Sequence, residues 1–127
     1  MHTQLAILIV DDVSTVRSFL SQTLMHLGIE NVKEASTAAQ CINECRAADY
    51  NMIFLDIELP DGDGKELIAQ INQLNPDTKV VMVSAHSAVE NVKEAIDKGA
   101  KGFVVKPFSP KKIASMLKKF YPELETV

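Results

Sequence analysis

The sequence predicts an α/β fold, a parallel sheet wound by helices on both faces, on three observations. Four short, continuous apolar runs rich in β-branched residues recur along the chain, as strands buried on both faces should. Stretches with apolar residues three and four apart separate them, as helices packed by one face should. Capping and stop residues punctuate the junctions.

The run "LAILIV" at 5–10 is the first strand, and Val13, Val16, Leu20, Leu24 and Leu27 mark the first helix, stopped by Gly28. A weaker strand, "NVKEA" at 31–35, is followed by capping-box spacing at Thr37 and Gln40, then a helix through Ala38, Ile42 and Cys45. "MIFL" at 52–55 is the third strand; Asp63 with Glu66 opens a helix carrying Leu67, Ile71 and Leu74. "VVMV" at 80–83 is the fourth; Ser87 with Glu90 opens a helix through Val89, Val92 and Ile96, stopped by Gly99. "GFVV" at 102–105 is the fifth, and Ser109 followed by Pro110 starts a last helix with Ile113, Met116, Leu117 and Phe120. The βαβαβαβαβα alternation, with right-handed crossovers, specifies a five-stranded parallel sheet, doubly wound.

At 127 residues and 46% hydrophobic composition, the chain suits one domain, 1–127, with no output segment after residue 120. "LAILIV" is far shorter than the ~20 apolar residues that span a bilayer. The acidic "DD" after it does not suit a signal peptide, so a cytoplasmic protein is expected. Residues 1–63 hold three Lys/Arg against ten Asp/Glu, and residues 64–127 hold ten against seven, totals too mild to argue for nucleic acid. Lys111, Lys112, Lys118 and Lys119 read as a solvated helix face. Cys41 and Cys45, four apart in a helical pattern, read as reduced packed thiols.

Every strong strand ends on a polar group. The first runs into Asp11 and Asp12, the third into Asp56, the fourth into Ser84 and the fifth into Lys106. In a parallel sheet these ends collect at one edge, where open α/β sheets bind ligands. Two unit charges 4 Å apart repel by about 4 kcal/mol at an effective dielectric near 20, so three acids need more than one lysine. All-oxygen ligation without His or Cys favours Mg²⁺, often completed by phosphate. Helix capping is the competing reading of Asp11 and Asp12, although one acid would cap as well as two.

The stretch "LDIELPDGDG" at 55–64 packs four carboxylates together. "PDG" is a turn signal and Asp63 a cap, which makes Asp61 and Asp63 structural. A calcium EF-hand is excluded, since Pro60 or Lys65 would fall on a ligand position. Asp56, at the strand end, is left as the reactive carboxylate.

Together "VDD" at 10–12, "LDIELPDGDG", "VSA" at 83–85 and "KGFVVKPF" at 101–108 resemble the response-regulator receiver domain, CheY-like in form, over nearly the whole chain. The resemblance implies a flavodoxin-like sheet of order 2-1-3-4-5. It implies that Asp56 accepts a phosphoryl group from a sensor histidine kinase. Asp11, Asp12 and Asp56 would hold Mg²⁺ together with the backbone carbonyl of Glu58. Ser84 and Lys106 would hold the phosphoryl oxygens, Lys106–Pro107 would be cis, and Ser84 with Phe103 would form the switch. Core packing is the plain reading of Phe103 without the resemblance.

Physics makes those roles sensible, because phosphoryl transfer depends mainly on positioning and charge stabilisation. Side chains two residues beyond Asp56 and Ser84, Glu58 and His86, should flank the path of a hydrolytic water and tune the lifetime of the phosphoryl group. The expected partners are the kinase and either a downstream target, as in chemotaxis, or a histidine phosphotransfer protein that takes the phosphate onward. Phe103 in place of the usual tyrosine and Glu58 in place of an amide depart from the motor-binding pattern. The chain is expected to be a monomeric signalling switch that catalyses its own phosphorylation and dephosphorylation and binds neither nucleic acid nor membrane. A haloacid-dehalogenase-like aspartyl phosphatase is the competing enzyme, with Glu58 as its second acid, but its motif normally follows the first strand. A flavodoxin-like electron carrier shares the topology, but "DDVSTVR" would repel a flavin phosphate.

Overall fold

A computed structural model describes residues 5–85 and 89–122, with side chains for residues 5–85 and 92–122. The elements are β1 (Ala6–Val10), α1 (Ser14–His26), β2 (Asn31–Ala35), α2 (Ala38–Ala47), β3 (Met52–Asp56), β4 (Glu58–Leu59), β5 (Gly62–Asp63), α3 (Gly64–Leu74), β6 (Lys79–Ser84), α4 (Val89–Asp97), β7 (Gly102–Val105) and α5 (Pro110–Phe120). Five strands form one sheet in the order β2-β1-β3-β6-β7, all parallel. That is the expected 2-1-3-4-5 order once the two-residue strands are set aside. The addition is the antiparallel pair of β4 and β5, with Glu58 opposite Asp63 and Leu59 opposite Gly62, which folds the acidic stretch into a tight hairpin.

The strands alternate their side chains between two apolar layers. Leu8, Val10, Ile53, Leu55, Val80 and Met82 face Leu67, Ile68 and Ile71 of α3 and Ala95 of α4. Ile7, Ile9, Phe54, Val81 and Val83 face Leu20 and Leu24 of α1 and Ile113 and Leu117 of α5. The interior strands β1, β3 and β6 are apolar on both faces because helices cover both. β2 is an edge strand and exposes Lys33 and Glu34, which is why its sequence signal is weak.

Among the described side chains, three residues of the expected helical stripes are not core: Val13, Leu74 and Ile96 are exposed. Val13 precedes α1 as its N-cap, and Leu74 closes α3, where the stripe has turned past the sheet. The caps also differ in detail. Asp63 accepts from the Lys65 N–H at 2.8 Å, but Glu66 does not fold back onto the helix start and instead bonds Lys98 beyond α4 at 2.9 Å. Gln40 reaches back to the Ser36 N–H at 2.8 Å, while Thr37 accepts from the Gln40 N–H at 3.1 Å. Asp61 caps α2 from the hairpin, accepting from the Ala38 N–H at 2.7 Å and the Ala39 N–H at 3.1 Å. Gly28 and Gly99 have φ of +96° and +115°, the left-handed stops their positions called for. Cys41 and Cys45 are free thiols. Ser87 and His86 lie outside the described residues, as does the side chain of Glu90. Among the described residues no helix is long and apolar enough to cross a membrane.

Candidate functional site

The parallel register sets the site. Asp56 ends β3 beside Val83, one residue short of Ser84 at the end of β6, and Ser84 lies beside Val105 of β7. Asp11 follows β1 directly, its N–H donating to the Ala35 carbonyl at 3.1 Å as though the ladder ran one step further. Lys106 follows β7, tied to β6 by its N–H on the Ser84 carbonyl at 2.8 Å. The Lys106–Pro107 peptide is cis.

Asp11, Asp12 and Asp56 each bring a carboxylate oxygen to within 4.8 Å of the others. Asp11 and Asp56 are buried, at 1% and 7% exposure, while Asp12 is exposed. Lys106 answers part of the charge, with Nζ 2.8 Å from Asp11 Oδ2 and 3.7 Å from Asp56 Oδ1. Burial pushes the Asp56 carboxyl up to about 6; the Asp11 charge adds to that, and Lys106 and the Glu58 N–H work against it. Burial works to lower the Lys106 ammonium, but its bond to Asp11 and the charges of Asp56 and Asp11 hold it above its ordinary value. A carboxyl raised this far, beside a lysine already engaged, marks a cluster short of positive charge.

Helix capping does not explain the acid pair. α1 has Val13 as N-cap with no side-chain cap bond, and Asp11 Oδ1 accepts instead from the Val13 N–H at 2.9 Å, outside the helix. The three donors are hard oxygens without imidazole or thiolate, a set that fits Mg²⁺ and leaves room for water in its shell.

The other expected residues divide. The exposed Glu58 donates its N–H to Asp56 Oδ1 at 3.3 Å, so its backbone adjoins the site. Ser84 is buried at 2% exposure at the strand end. Phe103 is half-buried, two residues before Val105, packs on the α3 side of the core and lines a cavity of about 530 Å³ with Val105, Pro107 and Phe108.

Sequence reasoning missed Gly64. A Cβ there would overlap the Asp56 carbonyl oxygen and sit 3.0 Å from Ile57 Cα, and the Gly64 N–H donates to the Ile57 carbonyl at 2.6 Å. The start of α3 thus presses on the backbone at the end of β3 that carries Asp56, and the second glycine of "DGDG" was the signal for it. Arg17 was missed as well, having no motif to mark it; Nη1 donates to the Asp11 carbonyl at 2.7 Å.

A doubly wound parallel sheet with clustered carboxylates and a lysine at its carboxyl edge defines a class, α/β domains whose donor set suits a divalent cation beside a carboxylate. The model of the response regulator receiver domain matches residues 7–118, and the chain belongs to that family, the receivers of two-component signalling. The chemotaxis protein CheY of Listeria monocytogenes is 36% identical over 115 residues, covering 91% of this chain and 97% of that one. A CheY-like receiver domain protein from Methanospirillum hungatei has the same fold at a TM-score of 0.87 and 30% identity, covering 94% of this chain and 95% of that one. CheY in a complex with CheX, BeF₃ and Mg²⁺ from Borrelia burgdorferi matches at a TM-score of 0.86 and 26% identity, covering 92% and 89%.

Proposed function

We propose that this receiver takes a phosphoryl group from a histidine kinase onto Asp56 and thereby changes its affinity for a partner protein. The observation that carries the reading is the cluster itself, three carboxylates within 4.8 Å of one another with Lys106 reaching two of them. Asp11, Asp12, Asp56 and the Glu58 carbonyl are the ligands assigned to Mg²⁺, which when bound supplies neutralising charge for the phosphoryl oxygens.

An Asp56 oxygen attacks phosphorus in line as the bond from phosphorus to the kinase imidazole nitrogen breaks, and the imidazole leaves. Lys106 Nζ, already between Asp11 and Asp56, follows the new charge. A phosphoryl group adds roughly two negative charges and three acceptor oxygens, enough to draw the lysine from Asp11 and to engage the Ser84 hydroxyl. Movement of Ser84 frees space near β7, and Phe103, half-buried beside a cavity, turns inward to fill it. Lys106 and Phe103 thus carry the state of Asp56 to the surface, where a partner reads it.

The similarity to chemotaxis CheY proteins favours a target-binding role in chemotaxis over onward transfer to a histidine phosphotransfer protein. The Borrelia relative, held with CheX, BeF₃ and Mg²⁺, supports both the cation and a protein partner. We place the switch in the cytoplasm, acting as a monomer. The phosphatase reading is weaker, because the Glu58 side chain is exposed while its backbone faces Asp56. Incubation with a phosphohistidine donor and Mg²⁺ tests the function. One phosphoryl group per chain, absent from Asp56→Asn and from a sample in EDTA, is the expected result; labelling that persists in either contradicts it.

A further inference from the structure

The turn between β1 and α1 supplies two of the three carboxylates assigned to the cation, and the structure treats them unequally. Asp11 is engaged through every polar group: its N–H on the Ala35 carbonyl, Oδ1 on the Val13 N–H, Oδ2 on Lys106 Nζ, and its carbonyl on Arg17 Nη1. Asp12 is exposed, and among the described residues no hydrogen bond holds its carboxylate. Its place is set by the backbone that carries it. That backbone begins at the peptide between Asp11 and Asp12, a rigid plane whose oxygen is the one Arg17 grips at 2.7 Å.

Arg17 is itself held from the other side. Its Nε donates to Glu34 Oε1 on β2 at 3.1 Å, while its own N–H bonds the Val13 carbonyl at 3.1 Å in the first turn of α1. A planar guanidinium suits this, since its donors lie in a fixed fork and one end can be fixed while the other acts. Glu34, Arg17 and the Asp11 carbonyl therefore form a strut from the edge strand to the turn. The ion pair is partly solvated, 19% and 40% exposed, and such pairs add little to stability. Its consequence is local geometry.

We infer that Arg17, braced by Glu34, is a positioning residue for the cation site, fixing the peptide between Asp11 and Asp12 and through it the Asp12 carboxylate. The inference rests on the function proposed above. It makes a claim opposite in sign to plain electrostatics. A guanidinium near a cation site repels the cation, so removing it should tighten Mg²⁺ binding if charge were its only effect. A strut predicts loosening.

Mg²⁺ titration of the full chain, followed by amide NMR, reports affinity and fold in the same spectra. Arg17→Ala is expected to weaken Mg²⁺ binding about ten-fold, the range of outer-shell positioning groups. Arg17→Lys, which keeps the charge without the fork, should also weaken it. Glu34→Gln, at an exposed position where the fold is safe, should weaken it less and add nothing in an Arg17→Ala background. Unchanged or tighter binding in Arg17→Ala, or in Glu34→Gln should the first variant not fold, overturns the strut. Asp12→Asn is the separate control. If wild type binds no Mg²⁺, or Asp12→Asn binds it as wild type does, the assigned site falls and the strut with it; if Asp12→Asn binds weakly and the Arg17 and Glu34 variants do not, the strut alone falls.

Discussion

Replacing Asp56 by asparagine should stabilise the metal-free protein, the reverse of what altering a buried, hydrogen-bonded side chain usually does. Burial and the Asp11 charge push the Asp56 carboxyl from an ordinary 3.8 up to about 6, against the pull of Lys106. That difference corresponds to about 3 kcal/mol of cost to the ionised form. Asparagine removes the charge and keeps an acceptor for the Glu58 N–H, but places an amide where Lys106 had a carboxylate. A gain of about 1–3 kcal/mol is therefore expected in EDTA near pH 8. Because the folded-state value lies above the unfolded one, the native wild type holds its proton more tightly, and its stability falls as pH rises from 3.8 through about 6 and is level above. The advantage of Asp56→Asn should accordingly shrink as pH drops below about 6 and wild type becomes protonated. Saturating Mg²⁺ should also shrink it, since the cation stabilises the intact cluster by mass action. Urea unfolding of both proteins across pH, with EDTA or Mg²⁺, is the assay. A variant no more stable than wild type at high pH in EDTA would refute the argument that the cluster stores repulsion for a cation to relieve.

Gly64→Ala should destabilise the chain by about 1–3 kcal/mol and weaken phosphorylation, because the new Cβ displaces the Asp56 carbonyl; helix propensity alone predicts a gain, so the sign of the change in urea midpoint decides. Lys106→Ala should still accept phosphate yet bind the partner equally in both states, since without its lysine the phosphoryl group no longer separates the two conformations in free energy; phosphorylation-dependent binding that survives in the variant contradicts this. Glu58→Gln should shorten the lifetime of the phosphoryl group, on the reasoning that the carboxylate shields the Asp56 end of the hairpin, and autodephosphorylation under saturating Mg²⁺ that slows instead assigns it to water activation.

The sheet was legible because buried parallel strands are continuous apolar runs and each of the strong ones ends on a polar candidate, so that Asp11, Asp56, Ser84 and Lys106 could be gathered from topology alone. What the sequence concealed depends on contacts between distant positions. Asp61 carries the turn signal that marks it as structural, but its task, capping α2 across 23 positions, has no periodicity to reveal it. The closeness of Gly64 to the Asp56 carbonyl follows from how α3 docks, which no local pattern encodes. Arg17 reads as one more polar residue of an amphipathic helix, and only the placement of β2 beside β1 brings Glu34 to it. Val13, Leu74 and Ile96 were read as core because spacing shows a face but not where the sheet ends beneath it.

The most direct test of the account is the chemical identity of the phosphorylated residue. The wild-type chain, phosphorylated with a small donor in Mg²⁺, would be reduced with borohydride, which converts an aspartyl phosphate to homoserine, then digested and mapped by mass spectrometry. Homoserine at position 56 and at no other carboxylate is the predicted result. Homoserine at Asp11 or Asp12, or a label stable to reduction on Ser84, would contradict the assignment of Asp56 as the acceptor.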